Sequence, residues 1–578
     1  LVQGSGLIDC EFWVLELDTS PASERKSRIT KEIIYWHERR TKLPQALLAP
    51  TFSEIVFGFV YPVDTNVEPV LQAFRDFLTH QYKYKANDLR ISEMLRSLDL
   101  GITFDAASQF ELSQALIKAG NCSREKTDED SILAVLAISK IAETRVLDDD
   151  KDGMPRERVA HLVRSLKRAE EVALFRDVYR SGFYLVGIAN NNDIEHTYLR
   201  EQKGVTREQA EALIQRDARE DDSHGQRMRD TFSLSDVFIQ ADENHYRSQV
   251  ARFLELVFGH PYITPSREEH AMFLAYASAA RSAQPGRQVG AAIASPEGDV
   301  VAVGMNEVPS PVGGLYWEGD LPDDRDHERG IDSNAQHRDA IVSSILCGLN
   351  HSVLNRERVK EFIRDIVSEL HLEPAEDDLD RAVKDAFKKQ PALLDESKAR
   401  EAIANSELKQ ITEYGRAVHG EMDALLTCAR LGISVKGKYL FVTTFPCHNC
   451  TRHIIASGIE KVFYIEPYPK SKAPDLHRDS IKLDDRDVKG DKRIPFVPFV
   501  GIGPCRYLDF FSLQLSSGRE ITRKDGQNRL IVPEKTDRPP RVPMVPLSFL
   551  EREARLQSEF KDVVWKLQGV PPETKAAD

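Results

Sequence analysis

The sequence predicts an α/β protein of two successive units, the first on a parallel sheet and the second an α/β/α sandwich. Three observations carry this. Short apolar runs such as 55–61 and 183–188 read as strands buried on both faces, the habit of parallel sheets. Helical patterns separate them, as at 67–80, and strands alternating with helices define layered α/β folds. A second alternating set surrounds His419, Glu421, Cys447 and Cys450.

At 578 residues the length alone allows roughly three or four domains. The expected division is an N-terminal segment 1–50 without assigned role, a first unit 51–255, a second unit 260–505 with a charged helical insert near 350–412, and an extension 506–578. A formal charge of −14 argues against a general nucleic-acid binder, whose footprint is basic. Seven scattered cysteines form no disulfide framework and point to a reducing cytoplasm. The sequence has no apolar run of the length a membrane span needs.

In the first unit, Ile55 to Tyr61 runs as a strand into a loop and then a helix. That is the order of a phosphate-binding loop, but G-x-x-x-x-G-K-[ST] is not satisfied. Asp64 and Asn66 stand near where glycine and lysine belong, and an aspartate there repels phosphate. Further on come a strand at 183–188, a capping box Thr206–Gln209, and a strand-like 235–239. Over about residues 50–245 this resembles the lid helix and last core strand of P-loop nucleoside and nucleotide kinases. The resemblance implies phosphate-clamping arginines at Arg200, Arg207 and Arg216 and a nucleotide near Gly58. Surface arginines on a charged helix are the plain alternative. Lacking the lysine, the unit reads as a degenerate, non-catalytic kinase-like module that binds a nucleotide, a partner or a regulator. Asp148-x-Asp150-x-Asp152-Gly153 imitates a calcium loop, but Val159 stands where its last glutamate is needed, so it reads as a solvated acidic loop.

The second unit carries the chemistry. His419-Gly420-Glu421 with Pro446-Cys447-His448-Asn449-Cys450 is the H-x-E…P-C-x-x-C signature of zinc nucleobase deaminases. One imidazole and two thiolates give Zn²⁺ three ligands and leave a fourth position for water. Glu421 is spare, and is placed to move protons as general acid and base. Strands are expected at 287–294, 299–306, 438–444 and 461–466, with a further apolar run 494–502, and helices at 268–283, 421–430 and 451–457.

Residues 270–480 resemble the deoxycytidylate deaminase branch of the cytidine deaminase superfamily, through Arg281-Ser282, Val289-Gly290-Ala291, Gly304-Met305-Asn306-Glu307 and the two zinc motifs. With the kinase-like half, the chain is similar to the bacterial anti-phage deoxycytidylate deaminases. That resemblance implies conversion of dCTP or dCMP to the uracil nucleotide, depleting the pool that phage replication draws on. It also implies repression in healthy cells, by a small RNA in some systems or by a regulatory nucleotide, and a homo-oligomer. By the same resemblance Asn306 holds sugar and base, Thr444 and Phe445 hold the cytosine edge, and Arg281, Arg287, Lys470 and Lys472 are phosphate candidates. Tyr316, Trp317 and Tyr468 either stack on the base or fill the core. His327, His337 and His351 lie near the start of the insert without nearby cysteines, so one catalytic zinc is expected and no second structural one. Two other classes stay open: a tRNA or single-stranded DNA deaminase, and a nucleotide-sensing regulatory protein. The C-x-x-C spacing disfavours a riboflavin-pathway deaminase.

Overall fold

The structure, a computed structural model, describes residues 52–106, 108–146, 155–189, 198–218, 224–242, 245–311, 313–348, 403, 415–468, 471–485, 488–513, 521–544 and 546–568. The N-terminal segment, the acidic loop 148–153, His351, Lys470 and all but Ile403 of the expected insert 350–412 lie outside these residues.

Strand β1 (Ile55–Val60) is apolar throughout, and all six residues are buried. Ile55, Phe57 and Phe59 pack on one face with helices α1 (Glu68–His80) and α2 (Tyr246–Val257). Val56 and Val60 enter a second core on the other face with helices 132–146 and 169–179. Burial on both sides explains why the run does not alternate with polar residues. Strands β2 (Lys85–Arg90), β3 (Val159–Arg164), β4 (Phe183–Ala189) and β5 (Val237–Gln240) join it in the order β2-β3-β1-β4-β5, all parallel.

Gly58 lies inside β1, as expected of the run 55–61, and a Cβ there would sit 2.7 Å from both Leu166 Cδ1 and the Phe183 ring. Close packing within the sheet requires this glycine. The loop beyond β1 is satisfied by the chain itself. The Val63 N–H donates to Asp217 Oδ2 at 2.8 Å, and Lys167 pairs with Asp217 at 2.8 Å while donating to the Tyr61 carbonyl at 2.7 Å. Glu68 opens α1 and pairs with Arg75 and Arg164. Of the three lid candidates, Arg200 is exposed, Arg207 pairs with Glu211 at 3.1 Å along its own helix, and Arg216 is half-buried beside Asp217.

The second unit begins with α3 (Arg267–Ala279), opened by a capping box between Ser266 and Glu269. Strands β6 (Gly290–Ala294) and β7 (Val300–Met305) form a hairpin. Then come α4 (Gly420–Leu431), β8 (Tyr439–Thr444), α5 (His448–Ser457) and β9 (Lys461–Glu466), followed by β10 (Ile481–Lys482) and β11 (Ile494–Pro498). The sheet order is β10-β11-β9-β8-β6-β7, parallel except for β6 against both neighbours. Alternate residues of β6 face opposite ways. Ala291 and Ile293 join the core that holds Ala424, Cys450 and Ile454, whereas Ala292 and Ala294 join Ala271 and Ala275 of α3. Two glycines let the helices come this close. A Cβ on Gly290 would lie 1.9 Å from the Ala275 carbonyl, and one on Gly304 2.4 Å from Ala424 N and the Gly420 carbonyl.

The apolar run expected as one strand at 494–502 divides. Its first part, β11, pairs with β9, while β12 (Gly501–Ile502) crosses to pair antiparallel with β5 of the first sheet. Gly501 makes the crossing with φ +128, a backbone state that only glycine adopts readily. Glu269, 1% exposed, accepts from the Ile502 N–H at 2.8 Å and grips Arg252 of α2 at 2.7 Å. The long C-terminal helix α6 (Pro546–Leu567) docks on the first unit. There Arg145, wholly buried, pairs with Glu54 and Glu553, and the Tyr179 hydroxyl donates to Glu553 at 2.6 Å.

Candidate active site

Two helix starts face each other at the β8 end of the second sheet. His419 caps the N-terminus of α4 in an extended conformation. Its backbone position is set from the other side, because Val418 and Glu307 exchange backbone hydrogen bonds at 2.9 and 3.2 Å. Pro446 ends the strand segment, and Cys447 caps α5, its sulfur accepting from the Cys450 N–H at 3.5 Å. A thiolate at a helix N-terminus is favoured by the free N–H groups and the helix dipole.

The three donors converge. Nδ1 of His419 lies 3.4 Å from Cys447 Sγ and 3.3 Å from Cys450 Sγ, and all three ligand atoms fall within 4.8 Å of one another. A tetrahedral zinc with ordinary Zn–S and Zn–N bonds sets an N···S edge of roughly 3.5 Å, so the trio fits that ion. The soft sulfur-and-imidazole donor set suits it as well. The hydrogen bond to Cys447 pushes the His419 imidazole up to about 9. Cys447 is drawn down to about 4, first by its hydrogen bond with Cys450 and then by His419. Cys450 moves well above the usual thiol range through that same bond and its burial. Glu421 is buried at 4% exposure; burial raises its carboxyl, and it lies within hydrogen-bonding reach of Cys450.

The other expected site residues are placed as follows. Thr444 is buried and donates to Glu466 Oε2 at 3.3 Å, and Phe445 packs edge-on to Tyr464 in the core beside Cys447. The Asn306 side chain is engaged by the chain itself: Nδ2 donates to the Arg287 carbonyl at 2.7 Å, and Oδ1 accepts from the Val289 N–H at 2.6 Å. Arg287 pairs with Glu466 at 3.1 Å and lies 5.9 Å from the Tyr468 ring centre. Lys472 precedes a short helix and is half-buried. Arg281 turns elsewhere. It donates to the Tyr316 carbonyl at 2.8 Å and stacks 3.2 Å over Trp317, so Trp317 meets a guanidinium while Tyr316 is buried.

Sequence reasoning gave no role to Glu307, Asp423 or Glu466. Glu307 is buried and accepts from the Ala283 and Val308 N–H groups, both at 2.8 Å, besides holding Val418. Asp423 accepts from the Met305 N–H at 3.3 Å, tying α4 to β7. Glu307 and Asp423 had a signal in their closeness to the motifs at 304–307 and 419–421, whereas Glu466 lies well beyond Cys450 and had none. A second potential metal group, Asp323, His327 and Glu328, is largely exposed, and Asp323 is already paired with Arg325 at 2.6 Å.

Residues 370–466 match the family model described as the cytidine and deoxycytidylate deaminase zinc-binding region, and all three donors lie inside that span. The chain is 33% identical over 91 residues to ComE operon protein 2 of Bacillus subtilis (strain 168), covering 14% of this chain and 48% of that protein. It is 44% identical over 55 residues to the deoxycytidylate deaminase of Enterobacteria phage T4, covering 10% and 28%. It thus spans about half or less of these relatives. A dCMP deaminase of the cyanophage S-TIM5, solved with dCMP and dUMP, aligns over 41% of this chain and 99% of that one at 16% identity with a TM-score of 0.20. No helix among the described residues is long and apolar enough to cross a membrane.

Proposed function

We propose that this chain is a zinc-dependent deaminase of deoxycytidine nucleotides, converting dCMP, dCTP or both to the deoxyuridine nucleotide and ammonia. The observation that carries the reading is the convergence of His419 Nδ1, Cys447 Sγ and Cys450 Sγ on one point, with the spare carboxylate of Glu421 buried beside them. Zinc held by those three atoms supplies a Lewis acid that makes a water nucleophilic near neutral pH. Glu421 takes a proton from the attacking water at its carboxylate and delivers it to ring N3, then assists the second transfer to the departing amino nitrogen. Water adds at C4, the C4–N bond breaks, and the proton count closes on uracil and ammonia. Thr444 and Phe445 shape the floor that receives the base, and Asn306 holds the 287–289 segment at the rim. Arg287, Lys470 and Lys472 are the cations assigned to the phosphates.

The reading extends to the whole protein. The first unit is a kinase-like module without phosphoryl-transfer activity, supported by its parallel sheet and by the loop that Asp217 fills. Depletion of the deoxycytidine nucleotide pool in phage defence, repression by a small RNA or a nucleotide, and homo-oligomerisation complete the proposal, on resemblance alone. The test is ammonia release by the zinc-loaded protein from dCMP, dCTP, CMP, deoxycytidine and a cytosine-containing oligonucleotide, with Glu421→Ala as control. Turnover of the deoxynucleotides alone, lost in the control, is the expected result. Turnover of the oligonucleotide alone would move the protein to the polynucleotide editors.

A further inference from the structure

Glu466, at the end of β9, is the carboxylate that meets the phosphate candidate Arg287, at 3.1 Å. We infer that it sets the preference between phosphorylated and unphosphorylated substrates by competing with the substrate phosphate for Arg287. The inference rests on the deaminase reading above and names a specificity residue within it.

The carboxylate is held from the strand side. Glu466 pairs in register with Thr444, its Oε2 accepts from the Thr444 hydroxyl at 3.3 Å, and its carbonyl accepts from the Phe445 N–H at 2.8 Å. Its other oxygen, Oε1, lies 3.1 Å from the Arg287 guanidinium. Arg287 is fixed at its backbone, where Asn306 holds its carbonyl, but its side chain is 47% exposed against 25% for Glu466. The pair is therefore open to solvent, beside Tyr468, whose ring environment includes Cys447. Among the described residues Glu466 is the only charged partner of Arg287. The pair is half-exposed, and its strand partner Thr444 stands two residues before Pro446 and three before Cys447.

The physical consequence follows from exchange of partners. A phosphate offers a guanidinium two parallel charge-assisted hydrogen bonds, so it displaces a single carboxylate oxygen. The displacement costs the existing pair, which at this exposure is worth on the order of a fivefold change in affinity. A nucleoside has nothing to exchange and leaves the pair intact. Glu466 thus subtracts from the affinity for nucleotides and leaves that for nucleosides untouched, so it tunes the ratio between them.

The test compares zinc-loaded wild-type protein with Glu466→Gln on dCMP, dCTP and deoxycytidine, and measures dUMP and deoxyuridine binding calorimetrically at low and high salt. The expected result is a KM about fivefold lower for both nucleotides, an unmoved KM for deoxycytidine, and a tightening of dUMP that fades at high salt. Equal changes on nucleotides and nucleoside, or a loss of kcat shared by all three with a lowered melting temperature, would show a mere brace for Thr444 and overturn the inference. Failure of the wild-type protein to deaminate any of the three would instead sink the deaminase reading, so the two failures are distinct.

Discussion

Each unit of this molecule places a strand, a loop and a helix N-terminus where a ligand classically enters an α/β sheet, and the two places have been finished in opposite ways. Beyond β1, the Val63 N–H is taken by Asp217, Lys167 is neutralised by the same carboxylate, and Glu68 on the first turn of α1 is clasped by two arginines. Beyond β8, His419, Cys447 and Cys450 bring their donor atoms within 4.8 Å of one another, a soft nitrogen-and-sulfur set that suits a metal. Groups of opposite charge that pair with each other brace the fold, whereas one imidazole and two thiols brought to metal-ligand spacing form a donor set for a cation. The contrast teaches where to look for chemistry in a two-unit chain. It is found where ligating side chains of one kind converge, and not where acid is paired with base.

That contrast can be broken by mutation. Its largest test is Glu421→Gln in the second unit. The expected loss of kcat is about a thousandfold or more, with zinc content by metal analysis unchanged, because the carboxylate is not a ligand. Next, Glu54→Gln in the first unit is expected to cost about 3 kcal/mol, read from denaturant unfolding, because Arg145 loses a buried partner, while kcat per folded molecule holds. The same variant carries a pH signature. The Glu54 carboxyl is lowered from 4.5 to about 2 by His161 and Arg145 against the opposing effect of burial. A group lowered on folding stabilises fully above its unfolded value and loses that contribution as pH falls through its folded one. The wild-type melting temperature therefore falls between pH 4.5 and 2 in a limb that Glu54→Gln lacks.

Two smaller effects sharpen the comparison. Asp217→Ala strands the Val63 N–H and Lys167, at an expected cost of roughly 1–3 kcal/mol with deamination kinetics unmoved. Gly304→Ala forces α4 away from β7, at a comparable cost of roughly 1–3 kcal/mol. That variant should also release zinc more readily to a chelator, because α4 carries His419 at its start. Equal zinc retention by both variants would erase the distinction between the units.

Much of this was legible in the sequence, and the legible parts share a cause. The strands at 55–60, 439–444 and 461–466 fall where apolar runs meet glycine and proline, and the zinc donors sit at short fixed spacings that a linear reading catches. What escaped depends on distant partners. Glu307 matters through Val418, over a hundred residues away in sequence, and Asn306 proved to hold the 287–289 backbone. The reason β1 carries a glycine at position 58 was hidden for the same cause, since the side chains that crowd it, Leu166 and Phe183, are remote in the chain. The single apolar run at 494–502 gave no hint that it serves two sheets.

That divided run has a mechanical consequence. A stretch of nine residues is stitched at one end to β9, whose far end carries Glu466 opposite Thr444, and at the other to the edge of the first sheet. The two sheets thus share one continuous length of backbone, which passes through Phe499 and Gly501. Cutting the chain between the two units would leave β5 with a bare edge and the second unit without its anchor. Apolar packing seals the same junction, where the Phe238 ring of β5 meets Phe499 with 5.9 Å between ring centres.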